Sequence, residues 1–271
     1  MTDDDVERDP ELQTKIDTTV PQSARIWNYW LGGKDNYEVD QVAGDQFREI
    51  YPGIEDGARA ARYFLARAVR HLAGEAGISQ FLDIGTGLPN VDNTHQIAQR
   101  VNPQAKIVYV DNDPLVLAHA RALLTSTPEG VTHYVDADLR DPGTILREAG
   151  RILDFSRPVA LMLMGILGHI EDYDEARSIV RTLTDALPPG SHLVQYDSTD
   201  TSDAYVEALR LYNEGGSAPY ILRSPEQITR FFDGLELLEP GVVSCPRWRP
   251  EAMPVGGPVD VDQYGGVALK R

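Results

Sequence analysis

Apolar residues along this chain follow two alternating rhythms. Short stretches rich in β-favouring residues recur at 81–84, 107–110, 131–135, 158–164 and 191–196. Apolar positions at helical spacing fill much of the intervening sequence, at 94–101, 114–124, 175–187 and 202–213. The fourth stretch, Pro158-Val159-Ala160-Leu161-Met162-Leu163-Met164, is uninterrupted, as expected of a parallel strand covered on both faces. Strand and helix in alternation predict an α/β fold of Rossmann-like type, a mostly parallel seven-stranded sheet flanked by helices. The segments 235–238, 242–245 and 264–269 read as antiparallel strands that close the sheet, with a proline-rich loop at 246–258. Ser224-Pro225-Glu226-Gln227 is a capping signature for a helix through Phe232.

The N-terminal quarter has a different pattern. Residues 1–19 are acidic and aperiodic and read as a mobile tail. Ser23 caps a short helix that Gly32-Gly33 ends, and helices are expected over 40–51 and 56–73. Residues 20–74 thus form a helical lid segment rich in aromatics (Trp27, Tyr29, Trp30, Tyr37), ahead of a sheet domain over 75–271. Arg59, Arg62, Arg67 and Arg70 on the last of these helices face solvent, or one of them meets a ligand carboxylate.

The first strand carries the chemistry. Gly85-Thr86-Gly87 follows it where the chain must turn sharply and bring bare backbone near a ligand, and Asp92 or Asn93 caps the next helix. A dinucleotide site wants a third glycine and a free helix N-terminus for pyrophosphate. Here Asn90 holds that position between Pro89 and the nearby Asp92, which disfavours a nicotinamide-dependent oxidoreductase. Asp83 points instead to a ligand with cationic groups, and S-adenosylmethionine has an ammonium, a sulfonium and no phosphate. Asp111 ends the second strand, 26 residues beyond Gly85, where a carboxylate accepts both ribose hydroxyls. Asp138 is placed for an adenine amino group, with Asp136 as its competitor, and Thr86, Asn112 and Leu139 complete the candidate cofactor set. His169, beyond the fourth strand, is the candidate proton acceptor.

Charge and cysteine content narrow the partners. Forty-two acidic against twenty-five basic residues give a net charge of −17, which repels nucleic acid and anionic membranes and favours a small-molecule partner. One cysteine, Cys245, allows no internal disulfide and argues against a cysteine-based metal site, so no metal is expected. The N-terminus lacks the pattern of a signal peptide and the longest apolar run is half a membrane span, so the chain is expected in the cytoplasm.

Three stretches carry a resemblance: Asn28-Tyr29-Trp30-Leu31-Gly32-Gly33-Lys34-Asp35-Asn36-Tyr37, Phe81-Leu82-Asp83-Ile84-Gly85-Thr86-Gly87-Leu88-Pro89 and Tyr109-Val110-Asp111-Asn112-Asp113-Pro114. Together they resemble an actinobacterial family of S-adenosyl-L-methionine-dependent methyltransferases, class I in fold and first catalogued as a domain of unknown function. The resemblance covers nearly the whole chain after about residue 18. It implies S-adenosylmethionine as cofactor, S-adenosylhomocysteine as product, and a lid that puts Tyr29, Gly32 and Gly33 at the cofactor. Members tend to carry a histidine directly after the Leu that ends the fourth-strand segment, whereas here Gly168 intervenes between Leu167 and His169. That departure keeps a second class in view, a protein that binds S-adenosylmethionine as a sensor without turnover. Aminopropyl transfer would want an acidic run for a polyamine, and none stands at the strand ends. The acceptor pocket is expected to combine the lid, the fourth-strand end and the loop near Tyr220, mixing aromatic and acidic groups.

Overall fold

The structure, a computed structural model, describes residues 17–90, 92–123, 126–251 and 257–271. The expected tail therefore lies outside the described residues up to position 16. Five parallel strands, β1 (Gln80–Ile84), β2 (Lys106–Asp111), β3 (Val131–Asp136), β4 (Ala160–Met164) and β5 (His192–Ser198), fall where the apolar stretches predict them. Three late strands follow: β6 (Glu236–Leu237), β7 (Val243–Ser244) and β8 (Gln263–Leu269), with β8 antiparallel to β5, β6 and β7. The main path runs β3-β2-β1-β4-β5-β8-β6, seven strands, and the two-residue β7, within the expected segment 242–245, pairs with β8 off that path as an eighth. Strand order reverses at β1, which pairs with β2 on one side and β4 on the other, so a crevice opens beyond its carboxyl end.

Period-two alternation distributes the strand residues between two cores. Leu82 and Ile84 of β1 pack in one apolar cluster with β4 and the helices α6 (Pro142–Ala149) and α7 (Tyr173–Asp185). Phe81 turns to the other, beneath α3 (Ile54–Gly74) and α4 (Thr94–Val101). Asp83 shares that second face, where α4 supplies it with a partner. Asn93, not Asp92, caps α4: its side chain and that of Gln96 close a reciprocal capping box, while Asp92 takes a positive φ and pairs with Arg100.

A third cluster holds the N-terminal helices α1 (Ser23–Trp30) and α2 (Glu38–Ile50) against α8 (Asp203–Glu214), through Ile26, Trp30, Phe47, Tyr205 and Leu209. A fully buried ion pair fixes α1 to α2: Arg25 Nε lies 2.9 Å from Asp40 Oδ2. The same carboxylate accepts from the backbone N–H groups of Gln22 and Tyr37, so both charges keep a full set of partners. The Tyr51 hydroxyl, just after α2, donates to Asp262, 211 residues along the chain, at 2.6 Å. Among the described residues no helix is long and apolar enough to cross a membrane.

Candidate cofactor and acceptor site

A cavity of about 350 Å³ opens at the carboxyl ends of the parallel strands, with α1 and α8 contributing to its walls. It falls within the size range of small-molecule sites. The turn after β1 lines it. Gly85 and Gly87 have φ of +74° and +62°, and a Cβ on Gly85 would collide with the Ile166 side chain. Beyond Gly87 there is open space, so its bare backbone faces the cavity. The Gly87 N–H donates to Asp111 Oδ2 at 2.9 Å and the Asp113 N–H to Asp111 Oδ1 at 3.0 Å. Asp111 thus pins the glycine turn while each oxygen keeps a lone pair for a ligand. Burial pushes its carboxyl up to about 6.

Asp83 lies deeper, buried, accepting from Thr94 Oγ1 at 2.7 Å, and burial raises it to about 6 against the opposing pull of Thr94 and the Arg62 guanidinium. Of the four arginines on α3, Arg62 is the one lining the cavity; Arg59 and Arg70 pair with acids, and Arg67 donates to the backbone carbonyls of Cys245 and Trp248. Asp138 lines the cavity, held by the Asn112 amide at 3.2 Å and the Arg140 N–H at 2.8 Å, with Leu139 buried beside it. Asp136, its competitor, is exposed and takes no part in the wall. Thr86 and Asn112 also line it.

The lid residues carried over by resemblance are placed differently. Tyr29, Gly32 and Gly33 do not line the cavity. Tyr29 lies against Gly44 on α2, its hydroxyl donating to Asp45 at 2.8 Å, and Gly33 closes α1 by donating to the Asn28 carbonyl. The opposite side of α1 faces inward, and Trp27, Asn28, Trp30 and Leu31 reach the cavity instead. Sequence reading also missed Tyr205, Leu209 and Tyr212 on α8. Their i, i+4, i+7 spacing marks one helical face and was a readable signal.

His169 lines the cavity from the 3₁₀ turn beyond β4 (Leu167–His169). Its Nδ1 stands 2.9 Å from the Pro219 carbonyl, and a carbonyl only accepts, so Nδ1 carries the proton and Nε2 holds the free lone pair. Burial pulls its pKa below 6.5, favouring the neutral ring. The ring meets Tyr220 edge-on at 5.0 Å. Gly168 explains that contact: a Cβ there would sit inside the Tyr220 ring. The Tyr220 hydroxyl donates to Asp197 at 2.6 Å, and Asp197 also accepts from Gln195 Nε2 and the Gly168 N–H.

The cradle fits a nucleoside with a cationic tail. Bare backbone at Gly87, the carboxylates of Asp83, Asp111 and Asp138, and the Arg62 guanidinium line one cavity, offering acceptors for hydroxyl, amino and cationic groups and a cation for a carboxylate. With the open parallel sheet and its switch point at β1, they define a class I S-adenosylmethionine-dependent methyltransferase. The chain belongs to the S-adenosyl methyltransferase family, whose model matches residues 9–271. A family DUF574 protein from Streptomyces avermitilis shares 45% identity, with a TM-score of 0.90 over 94% of this chain and 99% of that one. A candidate methyltransferase from Thermobifida fusca shares 43%, with a TM-score of 0.86 over 97% of this chain and 98% of its own. A SAM-dependent methyltransferase from Anabaena variabilis, at 15% identity and a TM-score of 0.50 over 74% and 80%, shares the fold alone. No curated protein matches the chain.

Proposed function

We propose that this chain methylates a small-molecule acceptor, with the acidic half of the cavity holding the cofactor and His169 serving as the proton acceptor. The observation that carries the reading is the Asp111 carboxylate, which holds the Gly87 turn and keeps lone pairs toward the cavity. Asp111 takes the ribose hydroxyls and Asp138 the adenine amino group. Asp83 and Arg62 take the ammonium and carboxylate of the methionine end. When bound, S-adenosylmethionine supplies a methyl group already activated on a sulfonium. The protein is left to align the acceptor, exclude water and remove a proton where the acceptor carries one. Nε2 of His169 receives that proton, since Pro219 holds the other ring nitrogen protonated. Residues 20–74 act as a lid over this site, and the buried thiol of Cys245 suits a reducing cytoplasm.

Calorimetric titration with S-adenosylmethionine, S-adenosylhomocysteine and NADH tests the reading, with thermal unfolding followed alongside. The two adenosyl compounds should bind and NADH should not. A ligand at 100 times its dissociation constant adds about 2.7 kcal/mol, a visible shift in Tm. Binding of NADH alone, or an Asp111→Ala variant with unchanged affinity, would overturn it.

A further inference from the structure

The cavity is chemically divided. Its charged lining residues, Arg62, Asp83, Asp111, Asp113, Asp138 and Arg140, stand on α3 and on the ends of the first three strands and the loops that follow them. Tyr109 and Tyr134 stack beside those acids, and the rest of the wall carries no carboxylate and is mainly apolar, with a chain of aromatic contacts running through it. Trp27 meets Trp30 at 5.8 Å, Trp30 meets Phe47 at 5.1 Å, and Phe47 meets Tyr205 at 5.4 Å. The Tyr205 hydroxyl lies 2.9 Å from Ser198 Oγ, the Ser198 N–H reaches the Tyr220 hydroxyl, and Tyr220 abuts His169. Aromatic groups therefore occur throughout the cavity, whereas its carboxylates and arginines are confined to one end. Behind the other end, which holds the aromatic chain, stand Asp197, fully buried and accepting three hydrogen bonds, Asp40, paired with Arg25, and Asp262, which accepts from Tyr51 and Thr201; none of the three lines the cavity. An acceptor here meets ring surface, hydroxyls and one neutral imidazole.

Resting on the reading above, we propose that the acceptor is an uncharged planar aromatic molecule bearing a hydroxyl, seated among Trp27, Phe47, Tyr205 and Tyr220 with that hydroxyl at Nε2 of His169. Stacked and edge-on ring contacts reward a planar aromatic guest beyond its buried area. A cationic amine would gain from the rings but would meet no carboxylate on the wall at this end, and burying an unpaired charge is costly. A hydroxyl is the group that needs a base before it becomes a good nucleophile, whereas a neutral amine already carries its lone pair.

The test is binding to protein saturated with S-adenosylhomocysteine, read by calorimetry and by quenching of tryptophan fluorescence. The probes are phenol, 2-naphthol and 1,3-dihydroxynaphthalene, set against tyramine and putrescine. The hydroxyarenes should bind at least tenfold more tightly than either amine. Leu209→Trp, which fills the aromatic end, should weaken 2-naphthol tenfold or more and leave S-adenosylhomocysteine affinity within about twofold; Tyr212→Ala serves if that variant does not fold. Tighter binding of tyramine or putrescine, no binding of any hydroxyarene, or 2-naphthol affinity untouched by the folded variant would overturn the assignment. Failure of S-adenosylhomocysteine itself to bind would sink the cofactor reading instead, which separates the two.

Discussion

Gly168 has no side chain because Tyr220 occupies the space one would need. Gly168→Ala should therefore destabilise by about 1–3 kcal/mol, the usual cost of overpacking. Denaturant unfolding of the pair Gly168→Ala and Gly168→Ala/Tyr220→Leu checks it, since the second change should restore much of the loss. His169 has a different signature. His169→Asn should lower kcat by about a hundredfold or more, as loss of a general base does, with KM little changed. With its pKa held below 6.5, the wild-type rate should persist to slightly acid pH and fall only as the imidazole protonates. Asp111 and Asp83 set a further dependence. Both carboxyls titrate near 6 in the empty site and must be ionised to meet ribose and ammonium. Cofactor affinity should be level above pH 7 and decline as pH falls through about 6, with proton release on binding near that pH measurable in buffers of different ionisation enthalpy. Asp111→Asn should cost about ten- to a hundredfold in affinity, the scale of a charge-assisted hydrogen bond, and flatten the acid side of that profile.

Among the elements, α1 and α2 depend on one ion pair. Arg25 and Asp40 are both buried and fully partnered, so removing one leaves the other charged in an apolar setting. Asp40→Ala should cost about 3–5 kcal/mol in chemical denaturation and weaken S-adenosylhomocysteine binding, because α1 lines the cavity. This part of the chain also shows where sequence reading stopped. The strands, the Gly85-Thr86-Gly87 turn and the places of Asp83, Asp111 and Asp138 on the cavity wall were legible because each expresses a local rule of period, turn or strand end. Tyr29, Gly32 and Gly33 misled because the inward side of α1 is chosen by its packing partners. Gly44 offers a gap that Tyr29 and Trp30 share, Trp30 donating to its carbonyl, while Trp30 also packs with α8 in the third cluster. No local pattern within residues 20–37 encodes contacts with a helix that begins at Asp203.

Over the whole molecule, buried acids and buried histidines oppose one another. Asp83, Asp111 and Asp197, each raised from 3.8 to about 6 by burial, contribute stability that is complete below 3.8 and lost as pH rises through about 6. His95, His169 and His192 are lowered by burial and contribute stability present above 6.5 and lost as pH falls, for His95 through about 4. The signs are opposite, so between about pH 4 and 6 the His95 contribution offsets part of what the three acids lose as pH rises. Asp197→Asn removes one acid, and in a series of urea melts the variant should gain stability relative to the wild type as pH rises from about 4 through about 6. The asparagine is accommodated because Gln195 Oε1, without a partner, can turn to accept its amide. One link bears on how the site comes into being. Tyr51 reaches Asp262 across 211 residues, and α2 rests on α8, so the aromatic end exists only after the two halves of the chain have met. Loops that long are closed late and slowly. During refolding, secondary structure should return first, and the capacity to bind a methyl acceptor should lag behind it, appearing with the slowest phase.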